Sequence, residues 1–261
     1  MLVSHEVPLK ALEKSLEFND YDYALVHLFK SHEEYYDFYK KSLSNNRIVY
    51  LDNSAYELKE LYNHQEFAMY CDSLYNINKD NFYYVVPDVI GNKKETIDSF
   101  NKFKTIFNKG KKIGVCQGST FVELLECFKF MKDNVDIIAI THECKLFKQN
   151  DMSYSSGLNT MQNMSKNRIY FINLLRDLDL IKNTKIHLLG VALPYEVLSY
   201  RDIPEIISID TSSPIVNGIL GISYNSMILE KPTTKLVDLF DKDLNDLCYD
   251  NIKQFRALTK I

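Results

Sequence analysis

Short, nearly continuous apolar runs recur along the chain, with room for a helix between most of them. They are Leu2-Val3-Ser4, Tyr23 to Leu28, Arg47 to Leu51, Phe82 to Val86, Lys112 to Cys116, Val135 to Ile140, Lys185 to Leu189 and Ile206 to Ile209. Runs that are apolar throughout, rather than alternating, suit strands covered on both faces. The segments between them, Glu33 to Ser42, Glu57 to Leu74, Lys93 to Phe107, Phe121 to Lys132 and Leu158 to Ile181, suit helices. In one of these, Phe121, Leu124, Leu125, Phe128 and Met131 fall at helical spacing with charges between them. Strand and helix therefore alternate, with eight strands in all. The pattern predicts an α/β fold of the (β/α)8 TIM-barrel type, with an open doubly wound sheet as the rival.

A length of 261 residues is ordinary for such a barrel built as one domain over 1–261. Only eight glycines and six prolines are present, and no linker, low-complexity tract or repeat divides the chain. The polar stretch Cys144 to Gly157 is predicted as a lid or binding insertion, and Ser223 to Pro232 as irregular. Residues 236–258 read as a helical closure of the barrel.

A hydrophobic content of 46% with 25% charged residues is globular, and no run is long enough to span a bilayer. The N-terminus carries no secretory pattern, so an intracellular protein without membrane contact is expected. The five cysteines, Cys71, Cys116, Cys127, Cys144 and Cys248, are well separated and odd in number. That argues against a disulfide framework and against a structural metal. A net charge of -4 excludes a general nucleic-acid coat but leaves room for a local basic groove. Lys109-Gly110-Lys111-Lys112 and the segment Lys145 to Arg168 are the candidates, although such runs are usually solvated faces.

The carboxyl ends of the predicted strands carry the chemistry, because active sites of parallel α/β enzymes gather there. They present Asp52, Asp88, Gln117 with Gly118, Thr141 with His142, Gly190 and Asp210. Taken singly, each aspartate is as well read as a turn former or helix cap. Together they offer acids and an amide that can read hydrogen-bond donors, and glycines that admit a flat ligand. A further acid is left free to act as a nucleophile. The ring suits a planar, amide-rich ligand such as a purine. His142 has no partner at a ligand spacing, so neither metal nor other cofactor is expected.

Four stretches resemble the tRNA-guanine transglycosylases, (β/α)8 barrels that exchange guanine for a 7-deazaguanine base. Residues Ile113 to Glu123, which read Ile-Gly-Val-Cys-Gln-Gly-Ser-Thr-Phe-Val-Glu, are similar to that family's Gly-Ile-x-Gln-Gly-Ser/Gly stretch and the helix after it. Leu51-Asp52-Asn53-Ser54-Ala55-Tyr56 resembles its Asp-Ser-Gly-Gly-Tyr motif. His187 to Pro194 resembles its His-Tyr-Leu-Met-Gly-Val-Gly-x-Pro segment, and Ile209 to Pro214 its Phe-Asp-Cys-Val-x-Pro segment. The four occur in family order and cover Arg47 to Gly218.

The resemblance implies that Asp210 is the nucleophile that attacks the sugar anomeric carbon, and that Asp52 handles protons on the departing or entering base. It implies base recognition by Asp88, Gln117 and Gly118, with Tyr56 and Leu189 sandwiching the base and Gly190 beside it. Thr141 and His142 stand where the family has a Gly-Gly pair that contacts the base through backbone; His142 reads equally as a structural histidine. Two further departures concern the polymer. The family's zinc subdomain of three cysteines and a histidine has no counterpart, and its basic Pro-Thr-Arg segment is replaced by Pro214-Ile215-Val216-Asn217-Gly218. Chemistry retained without the tRNA platform resembles the shortened bacteriophage branch that acts on DNA. The expectation is therefore a nucleic-acid guanine transglycosylase, with DNA favoured over tRNA and a 7-deazaguanine base as small-molecule substrate. A noncatalytic barrel subunit and an unrelated barrel enzyme on a nucleoside or sugar phosphate are the competing classes. Oligomeric state is not readable.

Overall fold

A computed structural model describes residues 1–142, 158–225 and 232–259. The sequence has the (β/α)8 TIM-barrel fold. Its strands are β1 (Leu2–His5), β2 (Asp22–Leu25), β3 (Val49–Asp52), β4 (Phe82–Val85), β5 (Lys111–Cys116), β6 (Ile137–Thr141), β7 (Ile186–Leu189) and β8 (Ile206–Thr211). They form one sheet in the order β1-β8-β7-β6-β5-β4-β3-β2, and the pairings of β1 with β8, β2 with β3, β3 with β4, β4 with β5 and β7 with β8 are parallel.

The helices are α1 (Leu12–Ser15), α2 (His27–Ser31), α3 (Glu33–Ser44), α4 (Ala55–Leu58), α5 (His64–Ile77), α6 (Lys93–Ile106), α7 (Phe121–Lys132), α8 (Thr160–Asp177), α9 (Ser213–Ile219) and α10 (Asp246–Thr259). Each apolar run of the sequence is a strand to within two residues, except that β2 stops at Leu25. Val26 already has helical backbone angles, and its N–H bonds to the Asp52 carbonyl as the chain turns into α2. The long helix expected over Glu57 to Leu74 is two helices. Lys59 ends α4 with φ 61°, and the Asn63 side chain starts α5 by accepting from the backbone N–H groups of Gln65 and Glu66. The closure of 236–258 is a 3-10 turn at Leu236–Leu239 followed by α10, with non-helical chain at 240–245. The insertion predicted for Cys144 to Gly157 lies outside the described residues.

Contacts divide the chain into two compact units, Tyr21–Ala139 on the one hand and Met1–Asp20 with the described residues from Ile140 onward on the other. In the first, Leu51, Phe67, Tyr84, Phe103, Ile113 and Phe128 are all but inaccessible. In the second, Phe171, Leu188, Ile209, Ile215 and Phe255 fill the interior. Helices α9 and α10 approach closely there: a side-chain carbon on Gly218 would lie 2.6 Å from the Cys248 Cα, so only glycine fits. No described helix is long and apolar enough to cross a membrane.

Candidate functional site

The candidate residues fall into two clusters, one in each unit. In the Tyr21–Ala139 unit, β3 ends on Asp52, whose carboxylate is 9% exposed. Its Oδ2 accepts from the Tyr23 hydroxyl at 2.6 Å and its Oδ1 from the Ser54 N–H at 2.6 Å. Burial holds the Asp52 carboxyl well above the ordinary carboxylate range, helped by Glu57 and Asp88 and opposed by the Tyr23 and Ser54 hydrogen bonds. A raised carboxyl keeps its proton more readily than an ordinary carboxylate, a property that suits a general acid.

Three residues beyond β4, Asp88 is held by two amides. Its Oδ1 accepts from Asn53 Nδ2 at 2.8 Å and its Oδ2 from Gln117 Nε2 at 2.7 Å. Burial again pushes the carboxyl up, against the pull of the two amide donors. The Gln117 amide is oriented unambiguously, because its Oε1 accepts from the Gly91 N–H at 2.9 Å while its Nε2 meets a carboxylate. With the two amides and its own backbone N–H accepted, the Asp88 carboxylate keeps one of about four acceptor positions, and Gln117 keeps one N–H, for a further partner. Gly118 has a packing reason to be glycine: a Cβ there would stand 2.8 Å from the Leu124 nitrogen at the start of α7. Thr120 caps that helix through the Glu123 N–H. Tyr56 is 43% exposed on α4, with Lys59 Nζ 3.7 Å from its ring centroid.

In the other unit, Asp210 sits at the end of β8 beside the start of the β7 loop. Its Oδ1 meets His187 Nε2 at 3.0 Å, and the Gly190 N–H approaches both carboxylate oxygens at 3.1 and 3.2 Å. His187 is fully buried, and its Nδ1 lies 2.9 Å from the Ser208 hydroxyl. A tautomer with the proton on Nε2 satisfies the whole chain: Ser208 donates to His187, and His187 donates to Asp210. Gly190 adopts φ 64°, a left-handed conformation that glycine takes without strain. Leu189 is half-buried at the end of β7.

Thr141 is half-exposed at the end of β6, and His142 is buried. His142 Nε2 lies 3.2 Å from the Ser165 hydroxyl, which donates to Glu196 Oε2 at 2.8 Å. Glu196 also binds Arg168 Nε at 2.6 Å and the Tyr200 hydroxyl at 2.7 Å. Burial is the largest influence on Glu196 and opposes its ionisation, but the Arg168 guanidinium, His142 and the Tyr200 hydroxyl together outweigh it and hold this carboxyl below its usual range.

Arg168 corrects the basic-groove expectation for its segment: it is 0% exposed and its charge is spent on Glu196. Residues 145–157 of that segment lie outside the described residues. The Lys109 to Lys112 run is likewise engaged locally, with Lys109 paired to Asp72 at 2.7 Å and Lys111 bound to Tyr83 at 3.2 Å. Among the described residues, no three His, Cys, Asp or Glu side chains come together to hold a metal ion.

Sequence reasoning missed Tyr23, Asn53 and His187 as partners of the three aspartates, and Ser208 as the partner of His187. The signal for the last two was present: His187 and Ser208 are polar interruptions of apolar runs, and Ser208 lies two residues before Asp210, on the same strand face. The chain matches no protein-family model and no curated protein.

Proposed function

We propose that the protein is a guanine transglycosylase that acts on nucleic acid, DNA in preference to tRNA, and inserts a 7-deazaguanine derivative. The observation that carries the reading is the Asp210 carboxylate, fixed at a strand end by His187 and the Gly190 N–H. A nucleophile needs its attacking oxygen aimed, and three donor contacts on one buried carboxylate do that.

In the proposed reaction an Asp210 oxygen attacks the sugar C1′. The bond from C1′ to guanine N9 breaks, and its electron pair goes to N9. Asp52, whose burial favours the protonated carboxyl, supplies the proton that neutralises the leaving base. The incoming base then gives its N9 proton to Asp52 and attacks C1′, which releases Asp210. Two inversions leave net retention, as in retaining glycosidases. Asp88 and Gln117 are assigned to the N1-H, 2-amino and O6 edge of the base through the capacity they keep beyond their mutual bond. A duplex guanine must leave the stack first, at a cost of a few kcal/mol.

The preference for DNA rests on α9. Residues Ser213, Pro214, Ile215, Val216, Asn217 and Gly218, which replace the family's basic segment, are all buried. That helix therefore has no cation to offer a tRNA backbone.

The test is labelled guanine exchange into DNA and into tRNA in parallel, with purified wild type and Asp210→Asn. Label in DNA and a covalent adduct are expected for the wild type, and neither for the folded variant. Incorporation into tRNA alone overturns the polymer, an active Asn variant overturns the nucleophile, and exchange into neither polymer overturns the reading.

A further inference from the structure

The peptide unit between Leu189 and Gly190 is gripped from both ends. Its N–H is the group that donates to Asp210. Its carbonyl accepts from Arg168 Nη1 at 2.8 Å and from the His142 N–H at 3.0 Å. Arg168 also reaches the Ile140 carbonyl at 3.4 Å, so one guanidinium touches the ends of both β6 and β7.

A buried arginine is an expensive way to hold a loop. Stripping a guanidinium of water is costly unless carboxylate and carbonyl partners replace it, and a hydrophobic pair of equal volume often serves packing as well. Here the cation is directed at one particular carbonyl. A charge-assisted bond to a peptide oxygen polarises that peptide and strengthens the hydrogen bond its N–H makes. The chain of effect runs from Arg168 to the Leu189 carbonyl, through the peptide to the Gly190 N–H, and so to Asp210. Glu196, anchored by Tyr200 and Ser165, holds the guanidinium in line.

The geometry points to Arg168 as a positioning residue for Asp210, which acts through the Leu189–Gly190 peptide to fix the carboxylate that attacks the sugar. Its catalytic half rests on the transglycosylase reading; its structural half does not.

The experiment compares wild type with three variants. Arg168→Gln/Glu196→Gln replaces the ion pair by two amides that can bond each other without a cation. Arg168→Lys restores the charge and decides the matter should the double variant fail to fold. Tyr200→Phe loosens Glu196 while the Leu189 contact stays. The direct readout is the Gly190 amide, by its proton shift and its solvent exchange.

The double variant is expected to shift that proton upfield and to speed its exchange about tenfold. Guanine exchange should lose about tenfold in kcat, with KM for the base within about twofold. Arg168→Lys should recover part of both, and Tyr200→Phe should move the Gly190 amide less than the double variant does. A Gly190 amide unchanged in every folded Arg168 variant, or one moved equally by Tyr200→Phe, overturns the inference. Because the amide is read without substrate, a wild type that exchanges no guanine removes the functional reading and leaves the link from Arg168 to Gly190 to be judged on its own.

Discussion

Acid should destabilise this protein through one histidine in particular. His5 ends β1 with its ring fully buried, edge-on to Phe18 at 5.8 Å and Phe255 at 5.6 Å between centroids. Neither ring nitrogen has a hydrogen-bond partner among the described residues. Burial, and then the Arg256 charge, push its pKa down from 6.5 to about 3, while Asp20 pulls weakly the other way. The folded state thus refuses a proton that the unfolded chain accepts below about pH 6.5. Stability from this group is full above that pH and is lost as pH falls toward 3. At about 1.4 kcal/mol per pKa unit, the loss at about pH 4.5 is about 3 kcal/mol, a large share of a typical total of roughly 5–15 kcal/mol. His5→Leu keeps an apolar body and removes the titration. Urea midpoints of both proteins, measured from about pH 7 down to about pH 4.5 at constant m, should diverge by that amount. His27 and His64, also lowered mainly by burial, add the same trend, and the raised Asp52 and Asp88 oppose it. All four are common to both proteins and cancel in the difference. Midpoints that fall in parallel would refute the reasoning.

Two further outcomes follow from contacts on the page. Tyr23→Phe removes a donor that favours ionised Asp52, so the Asp52 carboxyl should rise further. If Asp52 works in its protonated form, the alkaline limb of kcat/KM against pH moves up with it; a limb that stays in place removes Asp52 as the acid. Gly218→Ala drives a methyl into the Cys248 backbone and should cost about 1–3 kcal/mol, read as a lower denaturant midpoint with unchanged m.

The strands were legible because the sequence repeats one device: an apolar run, then a polar residue where the strand breaks out. Asp52, Gln117, Gly190 and Asp210 all stand within a residue of their strand ends, where that device puts them. Turn chemistry was harder to read. Lys59 takes a left-handed angle without being glycine, so nothing in the composition announced the break between α4 and α5. Partners across strands were illegible for a different reason. His187 pairs with Ser208 only through the register of β7 against β8, and that register contains a shift between Ile186 and His187. Arg168 misled because a cation among Lys145 to Arg168 reads as surface; only Glu196, 28 residues later, makes its burial tolerable.

The two catalytic candidates are embedded differently, and the difference suits their roles. Asp210 is held by donors that come from other residues' side chains and backbone across β7, which fixes where its oxygens point. Asp52 is held by the Tyr23 hydroxyl from β2 and by the Ser54 N–H of its own loop. Ser54, two residues on, adopts φ 60°, a left-handed angle that costs a non-glycine residue roughly 1–2 kcal/mol. Its N–H donates to Asp52 Oδ1 at 2.6 Å, and its hydroxyl accepts from the His27 N–H at 3.3 Å. Two donors thus act on a buried carboxyl that burial, Glu57 and Asp88 all drive toward its protonated form. In the proposed reaction Asp52 gives up its proton and takes one back, and the Tyr23 and Ser54 donors supply the influence that favours release.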